Sequence, residues 1–448
     1  MFRRVLIANR GEIALRVIRA CREMGIRTIA VHSQADADSL HVRYADEAVC
    51  IGPAPSQDSY LNIPSIISAA EITDAQAIHP GYGFLAESAR FAEICKACNI
   101  VFIGPSVEAI ALTGDKFASK LKMRKAGIPV VPGGVDEMAN QDDAIGAARE
   151  IGYPVMVKSA GGGGERGMRI ATNDYSLASA FRTAQAEAEA AFGESKVYLE
   201  KYFEGVRHVE IQLLADNSGN VIHLGERECS IQRRYQKLIE ESPSPGITQK
   251  QREELARAAV KAAKLVGYTN AGTVEFLVDG QGKFFFIEFN SRIQVEHPVT
   301  ESVLGIDLVK EQIRLATGQK LRIKQDKTKP RGAAIECRVY AEDPDDGFRP
   351  CAGTIEAFHV PGGPGVRVDT HAYAGYEVPP YYDAMLAKVV AWGHDRKEAI
   401  MRVRRALDEM VIEGVKTTIP LTLRVLSNAS FRRGEINTEF LESFVRSQ

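Results

Sequence analysis

Through roughly the first quarter of the chain, short apolar runs alternate with longer amphipathic stretches. Val5 to Asn9, Thr28 to His32, Ala48 to Ile51, Ala75 to Ile78 and Ile100 to Ile103 have the length and continuity of buried strands, and Glu12 to Met24 carries helical spacing between the first two. Strand, helix, strand in repetition predicts an open α/β layer. A helix after Gly114-Asp115-Lys116 runs to Lys125, and Gly127 to Gly134, with two prolines and three glycines, marks a boundary. The small module that follows, to about Phe203, holds strands at Val155 to Lys158, Met168 to Ala171 and Val197 to Tyr202, and an Ala/Glu-rich helix at Leu177 to Phe192. Long strands of antiparallel character fill His208 to Asn290 around a helix at Gln249 to Val266. A polar stretch, Lys324 to Lys329, reads as a linker, and the tail mixes strands, Gly/Pro turns and a helix at Arg396 to Met410. Three units are expected: 1–114, 115–330 with the small module at 131–203, and 331–448.

Composition narrows the function classes. A chain of 448 residues, 45% apolar and 25% charged, is an ordinary globular protein with room for two to four domains. Its 56 basic against 58 acidic residues give a net charge of -2, so no broad field favours nucleic acid or an anionic membrane, and any anion must be held locally. Only four apolar residues lie between Arg4 and Asn9, too few for a signal peptide or a membrane span, and a cytoplasmic protein is expected. Seven scattered cysteines fit reduced thiols. Cys95 and Cys98 form a C-x-x-C on a helical pattern with no second pair, which reads as buried small apolar residues rather than a redox or metal site.

Two segments carry chemistry. Gly161-Gly162-Gly163-Gly164-Glu165-Arg166-Gly167 matches G-x-G-x-x-G, but a strand follows it instead of a helix, and no Gly-Lys-Ser/Thr is present. Both the dinucleotide and the Walker A readings therefore fail on context. What remains is a glycine hairpin whose backbone N–H groups could wrap phosphate oxygens, with Lys158 as a nearby cation; a bare flexible turn is the plainer alternative. Further on, Thr273 to Val278 and Phe284 to Asn290 flank a turn at Gly280-Gln281-Gly282-Lys283. Pairing Asp279 with Phe284 and counting back puts Glu275 opposite Glu288, with Asn290 on the face of Glu288 and Phe285, Ile287 and Phe289 turned to a core. Opposed carboxylates destabilise a sheet unless a cation lies between them, and two Glu with one Asn offer hard oxygens to Mg²⁺ or Mn²⁺. If the strand stays extended, Arg292, Gln294 and Glu296 share the same groove, where Arg292 could fix a small planar anion and Glu296 could act as a base. A surface ion pair would account for Arg292 and Glu296 equally.

These segments, in this order, resemble the ATP-grasp superfamily and, within it, the biotin carboxylases, over essentially the whole chain. The likeness is carried by Leu6-Ile-Ala-Asn-Arg-Gly-Glu-Ile-Ala, His79-Pro-Gly-Tyr-Gly-Phe-Leu, Gly114-Asp-Lys, Glu226-Arg-Glu-Cys-Ser-Ile-Gln-Arg-Arg-Tyr-Gln-Lys, Arg292-Ile-Gln-Val-Glu-His-Pro-Val-Thr-Glu, Glu336-Cys-Arg and Pro379-Pro-Tyr-Tyr-Asp. The resemblance implies a combined α/β and α+β architecture: an ATP-grasp fold with a Rossmann-like N-terminal α/β domain, a mobile lid carrying the glycine loop and a C-terminal mixed domain. It implies that Lys116, Lys158 and the loop residues Gly163, Gly164 and Glu165 face ATP phosphates. Glu200, Lys201, Tyr202 and Phe203 would hold the adenine edge, and His208, Gln232 and Tyr235 would lie near ribose and phosphates. Glu275, Glu288 and Asn290 would carry two Mg²⁺ or Mn²⁺ ions. Bicarbonate would sit among Lys237, Arg292, Gln294, the Val295 backbone and Arg338, with Glu296 as base; Arg338 would stabilise the biotin enolate, with Tyr82 near the ureido ring.

The implied reaction is attack of bicarbonate on the γ-phosphate of ATP, giving carboxyphosphate and ADP, then carboxylation of biotin by the CO2 released. The chain ends at Gln448 without an Ala-Met-Lys-Met segment, so biotin would arrive on a separate carrier protein, and a separate carboxyltransferase would serve the final acceptor. Acetyl-CoA carboxylase is the commonest assembly for a chain of this kind, and a pyruvate or other acyl-CoA carboxylase is the nearest rival. A homodimer is also implied. Glu165 departs from the family's glycine: positive φ there would cost ~1–2 kcal/mol, and a phosphate charge ~5 Å away would add ~3 kcal/mol of repulsion at an effective dielectric of ~20. Tyr235, Ala333 and Pro364 depart as well, the last near the family's dimer contacts. An ATP-grasp ligase for another carboxylate and an ATP-binding regulatory homologue weakened by Glu165 are the remaining readings.

Overall fold

The computed structural model describes residues 1–133, 138, 140–159, 168–192 and 196–446. Strands β1 (Arg4–Ile7), β2 (Arg27–Ser33), β3 (Glu47–Gly52), β4 (Ala77–His79) and β5 (Val101–Phe102) form a parallel sheet in the order β3-β2-β1-β4-β5. Val5 and Ile7 pack towards the helix Gly11–Glu23, and Leu6 packs on the other face with the helices Ile63–Ile72 and Ala89–Ala97. Burial on both faces is why β1 reads as an unbroken apolar run. The strand order reverses between β1 and β4, the switch point at which open α/β sheets leave a crevice. There Asn9 Nδ2 donates to the carbonyls of Pro80 (2.7 Å) and Tyr82 (2.8 Å), tying the loops after β1 and β4 together. Gly81 between them has φ +65°, and a Cβ at that position would come 2.8 Å from Asn9 Nδ2, so the approach requires glycine. Cys95 is buried, and that burial pushes its thiol up to about 12, as befits an inert core residue, whereas Cys98, expected to be buried with it, is only partly covered at the end of the helix Ala89–Ala97.

Strands β6 (Val155–Ser159), β7 (Arg169–Ala171) and β8 (Val197–Lys201) form a small antiparallel sheet in the order β7-β6-β8. Helices Gln141–Ile151 and Asp174–Phe192 cover it through Ala144, Ala148, Leu177 and Phe181, which meet Val155, Val157 and Leu199. Gly163, Gly164 and Glu165 of the expected phosphate loop lie outside the described residues.

The largest sheet comprises β9 (Arg207–Ala215), β10 (Val221–Arg233), β11 (Gln236–Ser242), β12 (Asn270–Val278), β13 (Phe284–Asn290) and β14 (Ala333–Tyr340). Its order is β13-β12-β9-β10-β11-β14, continued by the strands Met385–Gly393 and Val366–Thr370, and every pairing is antiparallel. On one side Val209, Ile211, Phe276, Phe286 and Phe289 meet Leu255, Ala259 and Ala262 of the helix Gln249–Leu265. β14 pairs with β11 through Glu240↔Glu336, so a single sheet runs through positions on both sides of the polar stretch Lys324 to Lys329. Among the described residues, no helix is long and apolar enough to cross a membrane.

Candidate active site

A cleft of about 1560 Å³ opens where the three parts meet. Residues after β1 and β4, the small antiparallel sheet and the edge half of the large sheet all line it. Of the residues singled out in the sequence, Tyr82, Lys116, Lys158, Glu200, Lys201, Tyr202, Phe203, His208, Gln232, Tyr235, Lys237, Glu275, Glu288, Asn290, Arg292, Gln294, Val295, Glu296 and Arg338 all reach its wall.

The β12–β13 hairpin places Glu275 opposite Glu288, as the count predicts, but by a different route. At the turn the register is Val278↔Phe284, one residue away from the expected pairing of Asp279 with Phe284. A bulge at Ile287, between the pairs Phe276↔Phe286 and Glu275↔Glu288, restores the count. The bulge also corrects the predicted faces. Phe286 and Phe289 are buried in the core, whereas Ile287 lines the cleft and Phe285 is half-buried, its ring stacked 4.7 Å from that of Phe203. The extended continuation to Glu296 is also overturned: β13 stops at Asn290, and an irregular turn leads to the helix His297–Leu304. Arg292, Gln294 and Glu296 still face the cleft because that turn folds back over the sheet.

Lys237 sits at the centre of the charges. Its Nζ lies 2.7 Å from Glu210, 3.1 Å from Glu275 and 2.7 Å from Glu296. Glu210, missed in the sequence, is shared with Arg227 Nε at 2.5 Å and is fully buried. Glu296 also accepts from Arg338 Nη2 at 3.0 Å. Burial alone would raise the Glu296 carboxyl, but Lys237, Arg338 and Arg227 outweigh it and hold the group well below the usual carboxylate range. The same carboxylates overcome the burial of Lys237 and hold its ammonium well above the ordinary lysine value. Glu275 accepts from Asn290 (2.9 Å) and Gln294 (3.1 Å) and pairs with His208 Nε2 at 2.8 Å, which overcomes burial and raises the imidazole. Arg292 is fixed by Glu87, another residue missed in the sequence, at 2.9 Å; its Nη1 donates to Gln294 Oε1 at 2.7 Å.

Towards the small sheet, Glu200 is buried between Lys158 (2.5 Å) and Lys120, one helical turn after Lys116. The ammonium of Lys201 donates to the carbonyls of Gly152 and Tyr153, and the Tyr202 hydroxyl donates to Glu439 at 3.1 Å. Arg234 and Tyr235 both adopt positive φ in the two-residue turn between β10 and β11, which delivers Gln232 and Lys237 to the cleft. On the far wall Tyr82 donates to Glu12, which pairs with Lys388 at 3.0 Å, and Lys388 in turn donates to the Val295 carbonyl at 2.9 Å. Glu288 lines the cleft beside Glu275 and Asn290 and faces Lys158 and Lys120, and the three side chains together offer hard oxygens of the kind that suit a divalent cation. His208, Glu210 and Glu275 also bring possible ligand atoms within 4.8 Å of one another.

An antiparallel sheet facing a smaller sheet across a lysine-rich cleft, with a carboxylate hairpin at its edge, defines an ATP-grasp protein. Family models match the biotin carboxylase N-terminal domain at residues 1–110, the carbamoyl-phosphate synthase L chain ATP-binding domain at 115–324 and the biotin carboxylase C-terminal domain at 336–443. The chain is 56% identical to biotin carboxylase 1 of Bacillus subtilis, covering 99% of each chain. It is 54% identical to a pyruvate carboxylase subunit of Methanothermobacter thermautotrophicus, over 100% of this chain and 91% of that one. The biotin carboxylase domain dimer of Hydrogenobacter thermophilus 2-oxoglutarate carboxylase, solved with MgADP, ADP and bicarbonate, superposes with a TM-score of 0.96 at 50% identity over 99% of this chain and 98% of that one. The chain belongs to the biotin carboxylase family.

Proposed function

We propose that the protein carboxylates biotin with bicarbonate at the expense of ATP, releasing ADP and phosphate. The observation that carries this reading is the convergence of Lys237, Arg338, Arg292 and Gln294 around the ionised Glu296. Arg292 and Lys237 would hold bicarbonate, with Gln294 and the Val295 backbone closing the site. Glu296 is held ionised and so is free to accept a proton, but its three cations make it a weak base at rest. Bicarbonate beside it adds negative charge and draws on Lys237 and Arg338, which raises its basicity where a proton must be taken. Lys116, Lys158 and the backbone of the loop holding Gly163 and Gly164 would cradle the nucleotide phosphates, with Phe203, backed by the stacked ring of Phe285, and Ile287 as apolar wall. Glu275, Glu288 and Asn290 would hold Mg²⁺ or Mn²⁺, which supplies charge neutralisation at the phosphates. Arg338 would then steady the biotin enolate beside Tyr82.

Biotin would be presented on a carrier protein and passed to a carboxyltransferase, in a cytoplasmic assembly that includes a homodimer of this chain. Acetyl-CoA carboxylase is our reading of that assembly. A pyruvate carboxylase is the second, favoured by the similarity to the Methanothermobacter protein. The test is ADP release with bicarbonate, with and without free biotin. Biotin-stimulated release is expected, and a folded, ATP-binding preparation without turnover would overturn the proposal. In the same assay Glu165→Gly should lower the KM for ATP by about tenfold or more, if a carboxylate at this position of the sequence repels the nucleotide phosphates.

A further inference from the structure

Next to Arg338, at positions that do not line the cleft, two more glutamates occupy opposed places on neighbouring strands. Glu240 on β11 stands directly opposite Glu336 on β14, and both are fully buried. Opposed carboxylates in a dry sheet repel strongly. Glu240 has one ion pair, to Arg338 Nη2 at 2.5 Å; neither Glu336 oxygen has a hydrogen-bond partner among the described residues. The charged and titratable groups facing the pair are Arg338, Cys337 and Tyr340 on β14, Lys388 on the next strand, Lys237 on β11, Cys229 on β10, and Glu296 at the start of the helix His297–Leu304. Lys388 is already committed to Glu12 and to the Val295 carbonyl, and Lys237 to three other glutamates. His297, in that helix, is kept neutral by burial and by the neighbouring cations. Among the described residues, no uncommitted cation is left to balance two negative charges here.

We propose that Glu240 and Glu336 work as one positioning pair that holds a single proton between its carboxyl groups, presenting one negative charge to Arg338 and leaving the guanidinium turned to the cleft. A shared proton gives each carboxyl the hydrogen bond it otherwise lacks, Glu336 as donor and Glu240 as acceptor or the reverse. The environment agrees: burial and the neighbouring carboxylates push Glu240 up to about 7 and Glu336 well above the ordinary range, as the two titrate together. Loss of the proton at alkaline pH puts a second negative charge beside Arg338 and draws it back from the site. The inference rests on the reading of Arg338 as the contact for biotin, but its first test does not.

In the infrared, the full-length protein at pH 7 should show the C=O stretch of a protonated carboxylic acid, titrating away on the alkaline side and lost or shifted in both Glu240→Gln and Glu336→Gln. This readout needs no turnover, so it separates failure of the pair from failure of the proposed reaction. In the biotin-stimulated assay, Glu336→Gln should move the alkaline limb upward, because no second charge can appear. Glu336→Ala should lower turnover by about tenfold to a hundredfold through misplacement of Arg338, with Gln restoring most of it. Absence of the protonated band in the wild-type protein, or an alkaline limb unchanged in Glu336→Gln, overturns the proposal.

Discussion

Glu210, Glu275 and Glu288 stand in a row across three neighbouring strands, and Arg227 extends the row on β10. Arg227, Lys237 and His208 reach the first two carboxylates, and Glu288 is left towards the nucleotide side. Glu296 shares Lys237 with Glu210 and Glu275 and adds Arg338, which makes it the residue whose loss separates chemistry from binding. Glu296→Gln keeps the volume and one acceptor but cannot take a proton. Bicarbonate-dependent ADP release should fall by about 10²–10⁴-fold, while ATP affinity, measured by calorimetry, should change by less than about tenfold. Equal losses in both would make Glu296 a structural member of the cluster. Parity along one hairpin was enough to find Glu275, Glu288 and Asn290 in the sequence. Glu210 was out of reach of such a count, because β9 joins β12 only after two strands and the helix Gln249–Leu265 intervene. Glu87 was equally hidden, since its tie to Arg292 spans two separate parts of the fold.

At the scale of elements, the bulge at Ile287 shows how a register count can reach the right pair from a wrong starting point. The turn begins one residue earlier than the glycines suggest, and the extra residue on β13 compensates before Glu288. Its consequence is a change of face in mid-strand: Phe286 joins the core with Phe276, while Ile287 turns to the cleft. Truncation should therefore act in opposite ways at adjacent positions. Phe286→Ala removes a fully buried ring and should cost about 3–5 kcal/mol of stability by chemical denaturation. Ile287→Ala should cost about 1 kcal/mol or less, yet raise the KM for ATP, because it strips apolar surface from the nucleotide wall. A strand without the bulge would reverse that order. The alternating units of the N-terminal layer were legible because burial on both faces leaves unbroken apolar runs, as in Val5 to Ile7. The turn after Asn290 was not, because Arg292, Gln294 and Glu296 keep a period of two in a segment that is no longer a strand.

Across the whole molecule, the N-terminal layer is held to the rest by buried polar contacts that depend on pH. His371 packs against Gly11 at the start of the first helix and His79 lies 3.2 Å from Gln312 Oε1, while within the layer itself His41 reaches the Val31 carbonyl beside the buried Arg10–Asp36 pair. Burial lowers all three imidazoles, to about 3 for His371 and about 4 for His79 and His41. A folded-state value below the ordinary 6.5 means that the folded protein binds fewer protons than the unfolded chain once the pH drops below that value. Stability is thus full above about pH 6.5 and is lost progressively as the pH falls towards the folded-state values. At pH 5 each histidine should cost about 2 kcal/mol, at 1.36 kcal/mol per pKa unit, or up to about 6 kcal/mol for the three. The urea midpoint should accordingly fall between pH 7 and pH 5, and His371→Gln should recover its share of the fall. A midpoint that does not move would mean that these imidazoles titrate as in the unfolded chain. Because His371 and His79 lie where the N-terminal layer meets the other two parts, the first structure lost on acidification should be the seating of that layer, and with it the wall of the cleft that carries Tyr82.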